Sequence, residues 1–145
     1  MNRYVVDASV VVKWLVPEVL EAEADHLFEW VLSQDGEAHA PDFLEIEVAQ
    51  VVWKKWRAKE LIRSEVRSVM AELAALPLHL HHSSLFLSEA VDIACEFERT
   101  VYDSAYLALA DAFDCDFISA DERLINAIRQ ANWSGSIRWL GEWAK

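Results

Sequence analysis

Residues 4–15 read YVVDASVVVKWL, and this stretch constrains the fold more than any other. Tyr4, Val5 and Val6 are aromatic and β-branched without polar alternation, the pattern of a strand covered on both faces in an α/β sheet. Asp7 ends the run. Ala8 and Ser9 are small, and Val10, Val11, Trp14 and Leu15 recur at the spacing of a helix stripe. A strand that stops at an aspartate and turns at once into a helix sets that carboxylate at the carboxyl edge of a sheet, where open α/β folds bind ligands. The same residue would also cap the helix, so its position alone does not separate a structural aspartate from a functional one.

The rest of the chain repeats the alternation. Pro17 breaks the first helix, and residues 20–34 resume the helical period with Leu20, Ala24, Leu27, Phe28, Val31 and Leu32 on one face. A short strand is expected at 38–40, stopped by Pro41. A long helix follows, with Asp42 as its N-cap and Glu45 three residues on in a variant of the capping box. That gives Glu45 a structural task, whereas Glu47 lies beyond the cap and flanks the stripe of Leu44, Val48 and Val51. Periodicity alone does not fully settle which of the two glutamates faces inward.

A shorter helix spans 64–75, and residues 76–82, LPLHLHH, alternate as a strand with His79 and His81 on one face. Paired histidines could bind a transition metal, but with no third ligand in view, exposed strand histidines are the plainer account. Ser84 opens the next helix, with Leu85, Leu87, Ala90, Val91, Ile93, Ala94 and Phe97 as its apolar set. Thr100 opens another, with Asp103 in its first turn. Residues 117–119 form a buried strand, Asp121 can cap the helix after it, and 136–140 give a last strand before a short amphipathic tail. Strands separated by helices imply an α/β fold, a single-domain α/β/α sandwich over residues 1–145 with a mainly parallel central sheet.

The formal net charge is −12, which argues against holding a polyanion by global electrostatics. A nucleic-acid function would need metal ions or a local basic patch. Residues 53–67 supply such a patch, with Lys54, Lys55, Arg57, Lys59, Arg63 and Arg67 interleaved with Trp53 and Trp56. Read plainly, it is a solvated helix surface. Cys95 and Cys115 fit neither a disulfide framework nor a zinc site and are expected to be reduced. Seven tryptophans in a short chain suggest apolar surface buried against another subunit or a partner. With no secretory leader and no run approaching a membrane span, a cytoplasmic protein is expected.

Asp7, Glu47, Asp103 and Asp121 all fall at strand ends or early in helices. If those ends converge, four carboxylates share a pocket and repel one another unless a cation compensates. Oxygen ligands of this kind select Mg²⁺ or Mn²⁺, and such ions can activate water for phosphodiester cleavage. Each aspartate also has an independent explanation as a residue that favours helix N-termini.

Four segments taken together carry a resemblance: VVDASVVVKWL, APDFLEIEVAQVVWK, TVYDSAYLALA and FISADERL. The chain resembles the PIN-domain family and, within it, the VapC-like ribonuclease toxins of type II toxin–antitoxin pairs. The resemblance implies an acidic site of Asp7, Glu47, Asp103 and Asp121 that binds Mg²⁺ or Mn²⁺, with the Ser119 hydroxyl in support. It places Glu47 rather than Glu45 in the site, because the family's glutamate immediately precedes Val-Ala. It also implies an RNA substrate, a homodimer and a cognate antitoxin. On this reading Trp53, Lys54, Lys55, Trp56 and Arg57 are placed either to hold RNA or to anchor the antitoxin, and both stay open. Three competing readings are a PIN-domain RNase of RNA processing or decay, a PIN-like fold kept only for binding, and a phosphoacceptor receiver. Against the receiver, the first strand ends in one acid rather than a pair, and no lysine follows a late strand.

Overall fold

The computed structural model describes residues 2–16 and 20–143, so Pro17 and the last residues of the tail lie outside the described part. Five strands, β1 (Asn2–Val6), β2 (Gly36–Pro41), β3 (Leu78–His81), β4 (Asp116–Ser119) and β5 (Ile137–Trp139), form one sheet in the order β3-β2-β1-β4-β5. Every pairing is parallel. The chain therefore builds outward from β1 in one direction, then crosses back to lay β4 and β5 on its other side.

The helices are α1 (Ala8–Leu15), α2 (Glu21–Leu32), α3 (Leu44–Arg57), α4 (Arg63–Ala75), α5 (Leu87–Phe97), α6 (Val101–Ala112) and α7 (Glu122–Gln130). Successive strand residues point to opposite faces, and Tyr4 and Val5 show which helices cover which. Tyr4 meets Trp30 of α2 and Trp143, with ring centroids 4.9 and 5.2 Å away. On the opposite face Val5 pairs in register with Phe117, whose ring lies 5.9 Å from Tyr106 of α6. α5 packs along α6 as the outer member of that layer. The result is the expected three-layer sandwich.

The core is apolar and continuous, with Val5, Val6, Val10, Val11, Leu27, Leu44, Val48, Leu107, Phe117, Ile118, Ile125 and Leu140 sealed from solvent. Gly36 is fixed by this packing, since a Cβ there would fall 1.6 Å from the Trp30 ring. Truncating a ring in a close-packed layer leaves a void that the sheet cannot collapse around. Phe117→Ala is expected to cost about 3–5 kcal/mol, read as a lower urea midpoint at unchanged slope.

Several local expectations change. α3 begins at Leu44 after Phe43, and Asp42 is not its cap. The Asp42 carboxylate instead accepts from the Ser83 backbone N–H at 3.3 Å and lies 3.4 Å from His82, tying the end of β2 to the segment after β3. Without that cap there is no capping box, and Glu45 projects into solvent. Ser84 lies in a short 3₁₀ turn, and α5 begins three residues later. Leu85, Leu87 and Val91 are exposed rather than packed, while Phe86 and Ala90 are buried. Five tryptophans, Trp14, Trp30, Trp133, Trp139 and Trp143, pack against this chain's own core. Only Trp53 and Trp56 are left as exposed tryptophans among the described residues. Both cysteines are free thiols, and burial pushes that of Cys115 up to about 11. No described helix is long and apolar enough to cross a membrane.

Candidate active site

The order in which strands are added reverses between β1 and β4, and such a switch point opens a crevice at the carboxyl ends of the strands. Asp7 stands there, directly after β1, its N–H reaching the Ile118 carbonyl of β4 at 3.4 Å. Its side chain is buried, at 7% exposure. One carboxylate oxygen accepts from Ser9 Oγ at 2.5 Å and from the Val10 N–H at 3.2 Å. The other accepts from Ser119 Oγ at 2.5 Å. Both serine hydroxyls in turn accept from the turn after β4, Ser9 from the Ala120 N–H and Ser119 from the Asp121 N–H, each at 3.0 Å. The two serines thus lock the end of β1 to the end of β4 through the carboxylate.

Asp121 follows β4 and caps α7, accepting from the Leu124 N–H at 3.2 Å. Asp103 sits in the first turn of α6, whose N-cap Thr100 accepts the Asp103 N–H at 3.1 Å. The Asp103 carboxylate lies 3.7 Å from Arg99. Glu47 comes from the third element, α3. Leu44, Val48 and Val52 are the buried stripe of that helix, which leaves Glu45 outside and turns Glu47 to the half-buried flank. There its carboxylate accepts from the Tyr106 hydroxyl at 2.6 Å.

Burial pushes the Asp7 carboxyl up to about 6, against the hydrogen bonds from Ser119, Ser9 and Val10, and the charge of Glu47 adds to the rise. Glu47 is raised by burial and by the charge of Asp103, with the Tyr106 bond opposing. Asp103 is raised by burial and by Asp121, with Arg99 opposing. Each acid therefore feels the next, in a chain of charge effects that runs from Asp121 through Asp103 and Glu47 to Asp7. Tyr106 is held as a phenol, its ionisation opposed by burial and by Glu47.

Beside Glu47 opens a cleft of about 560 Å³, walled by Ala8, Ile46, Gln50, Val51 and Tyr102. Ile46 and Tyr102 are exposed there, at 68% and 59%. Trp53 and Trp56 lie further along α3. They line a groove of about 470 Å³ between α3 and α4 with Val52, Val66 and Met70. Arg57 lies 5.4 Å over the Trp53 ring, and Lys55 lies 3.4 Å from Glu60. Lys54 is exposed on the same helix. The basic and tryptophan-bearing residues are thus close along α3, and Ala49 lines both their groove and the cleft beside Glu47.

Ser9 and Tyr106 were not selected from the sequence. Ser9 could have been, since an Asp-x-Ser turn at a helix start often folds its hydroxyl back on the acid. Tyr106 reads only as core. Ser119→Ala removes both the donor to Asp7 and the acceptor for the Asp121 N–H, so a stability loss of about 1–3 kcal/mol is expected in chemical denaturation.

A family model for the PIN domain matches residues 4–129. Ribonuclease VapC3 of Pyrobaculum aerophilum is 32% identical over 124 residues, which cover 84% of this chain and 92% of that protein. The fold is similar to two solved structures. PAE2754 from Pyrobaculum aerophilum superposes with a TM-score of 0.64 at 19% identity, covering 97% of this chain and 92% of that one. VapBC2 from Rickettsia felis, bound to a DNA fragment from their promoter, gives a TM-score of 0.63 at 8% identity, covering 94% and 98%.

Proposed function

The chain belongs to the PIN-domain family, and from that premise we propose that it is a metal-dependent endoribonuclease acting as the toxin of a toxin–antitoxin pair. What supports this reading is that Ser119 ties Asp7 to the Asp121 backbone and Tyr106 ties Glu47 to α6 one turn from Asp103, while the acids raise one another in sequence, Glu47 acting on Asp7, Asp103 on Glu47 and Asp121 on Asp103. The relative named as a ribonuclease supports the choice of RNA as substrate.

The donor set fits a hard divalent cation, since it consists of carboxylate and hydroxyl oxygens, and a cation there would offset the burial and mutual repulsion that raise Asp7, Glu47 and Asp103. Asp7, Glu47, Asp103 and Asp121 would hold Mg²⁺ or Mn²⁺, directly or through water. Bound there, the ion supplies Lewis acidity that lowers the pKa of a water and offsets charge on the phosphate. The chain's own groups do the positioning. Ser9, Ser119 and the Val10 N–H fix the Asp7 carboxylate in one orientation, so little reorganisation is left for the reaction itself. Tyr106 fixes Glu47 in the same way. Exposed Tyr102, in the wall of the adjacent cleft, offers a face on which a base beside the scissile phosphate can stack.

The groove between α3 and α4 suits an apolar anchor from the antitoxin or from a second copy of the chain, with Trp53 and Trp56 as the aromatic contacts and Arg57 and Arg63 at its rim. The test is cleavage of end-labelled transfer and ribosomal RNA by the purified chain. Discrete products in Mn²⁺ or Mg²⁺ that vanish with a chelator are expected. A folded, partner-free chain that cuts equally well in the chelator contradicts the proposal.

A further inference from the structure

A second cluster of ligating side chains lies on the same sheet, away from the acids. β2 and β3 pair with His39 opposite His79 and Pro41 opposite His81, so Glu37, His39, His79 and His81 all project from one face. It is the α6 face, because His39 is in register with Val5 and packs 5.0 Å from Phe113, just past the end of α6. Asp103 is in the first turn of that helix, so the two places are separated by about 15 Å of helix.

The cluster is tightly built. His39 is buried, at 5% exposure. Its Nε2 lies 2.8 Å from Glu37 Oε2, and its Nδ1 lies 2.8 Å from His81 Nε2. The His79 ring stacks on His39 with centroids 4.7 Å apart and 20° between the planes. One ligand atom from each of Glu37, His39 and His79 falls within 4.8 Å of the other two. Arg3, the neighbour on β1, turns its guanidinium onto Phe113 at 5.2 Å. The hydrogen bonds explain Glu37, His39 and His81. They leave the His79 side chain out, since its ring makes no hydrogen bond among the described residues although it stands over the buried ring.

We propose that Glu37, His39 and His79 form a site for a borderline transition-metal ion of the Zn²⁺ class, separate from the acidic site. Two imidazoles and one carboxylate are a recognised zinc donor set, with water in the fourth position. Ligands at zinc distances stand about 3.3 Å apart in a tetrahedron, so the observed spacings close with small side-chain movements. His39 ligates through Nε2, the nitrogen already facing Glu37, and donates Nδ1–H to His81, the outer partner that fixes a ligand's tautomer. Exposed His79 gives the ion its entry from solvent. Because β3 is the sheet edge, the ion clips a four-residue strand to its neighbour.

The test uses the full chain carrying Asp7→Asn, which disables the acidic site, titrated with Co²⁺ and Zn²⁺ after chelator treatment. One equivalent of Co²⁺ is expected to give the intense visible bands of tetrahedral coordination, displaced by Zn²⁺, and Zn²⁺ should raise the melting temperature. Adding His79→Ala should abolish the bands and the thermal shift. His81→Ala should weaken Zn²⁺ binding about 10–100-fold. His26→Ala, an exposed histidine of α2, should change nothing. Pale octahedral Co²⁺ spectra, or spectra identical with and without His79, overturn the proposal.

Discussion

Replacing Asp7 with asparagine is expected to lower RNA cleavage at least about a thousandfold and, in metal-free buffer, to raise the melting temperature. The two effects share one cause. Asp7 is buried with its carboxyl pushed up to about 6, so at neutral pH the fold holds a negative charge in a place that disfavours it. The rise from 3.8 corresponds to roughly 3 kcal/mol at 1.36 kcal/mol per unit. Asparagine removes that charge but returns one amide where two acceptor oxygens stood, so a net gain of about 1–2 kcal/mol is expected.

The pH dependence has a definite direction. Because the folded value lies above the unfolded one, the native chain holds the extra proton between about pH 4 and 6. The stability that protonated Asp7 contributes is therefore full below about pH 4 and lost as pH rises through about 6. The gap between the metal-free stability curves of Asp7→Asn and the unsubstituted chain should open across that window and stay level above it. Denaturant melts at several pH values measure it. A variant less stable than its parent at pH 7 contradicts this account of the buried charge.

Glu47→Gln is expected to slow cleavage at least about a hundredfold, while Glu45→Gln changes it less than about twofold. The two glutamates are two residues apart and chemically identical, so the contrast isolates their places on α3. Glu47 faces Asp103 and accepts the Tyr106 hydroxyl, whereas Glu45 is exposed. Single-turnover rates under matched metal concentration compare them. The opposite ranking would mean that α3 presents its other flank to the substrate.

The parallel sandwich was legible because continuous apolar strands and periodic helices alternate along the whole chain. The strand order was not, since nothing in the residues 116–119 tells which side of β1 they join; that depends on packing far apart in sequence. Asp7, Asp103 and Asp121 stand out in the sequence, yet their cap chemistry made them ambiguous, and the structure shows Asp7 and Asp121 each capping a helix while Ser119 links the two. Asp42 misled for the same reason. It has the residue type and spacing of a cap, but its carboxylate is engaged by Ser83 and His82, which β3 brings beside it.

The histidine pair read as exposed strand residues because its companions, His39 and Glu37, lie about 40 residues earlier and join it only through the β2–β3 register. Tyr106 was legible as core from its period. Its hydroxyl contact with Glu47 depends on how α3 and α6 pack, which local pattern does not encode.

Binding of Mn²⁺, followed by loss of the free-ion paramagnetic resonance signal, tests most directly whether the carboxylates form a metal site. Mn²⁺ favours oxygen over imidazole donors, so it reports on the acidic edge rather than on the histidine cluster. The unsubstituted chain should deplete the free signal saturably, and Asp7→Asn and Glu47→Gln should each leave it nearly undepleted while Glu45→Gln matches the parent. Equal Mn²⁺ binding by the parent and Asp7→Asn, in chains that are equally folded, would contradict the central claim.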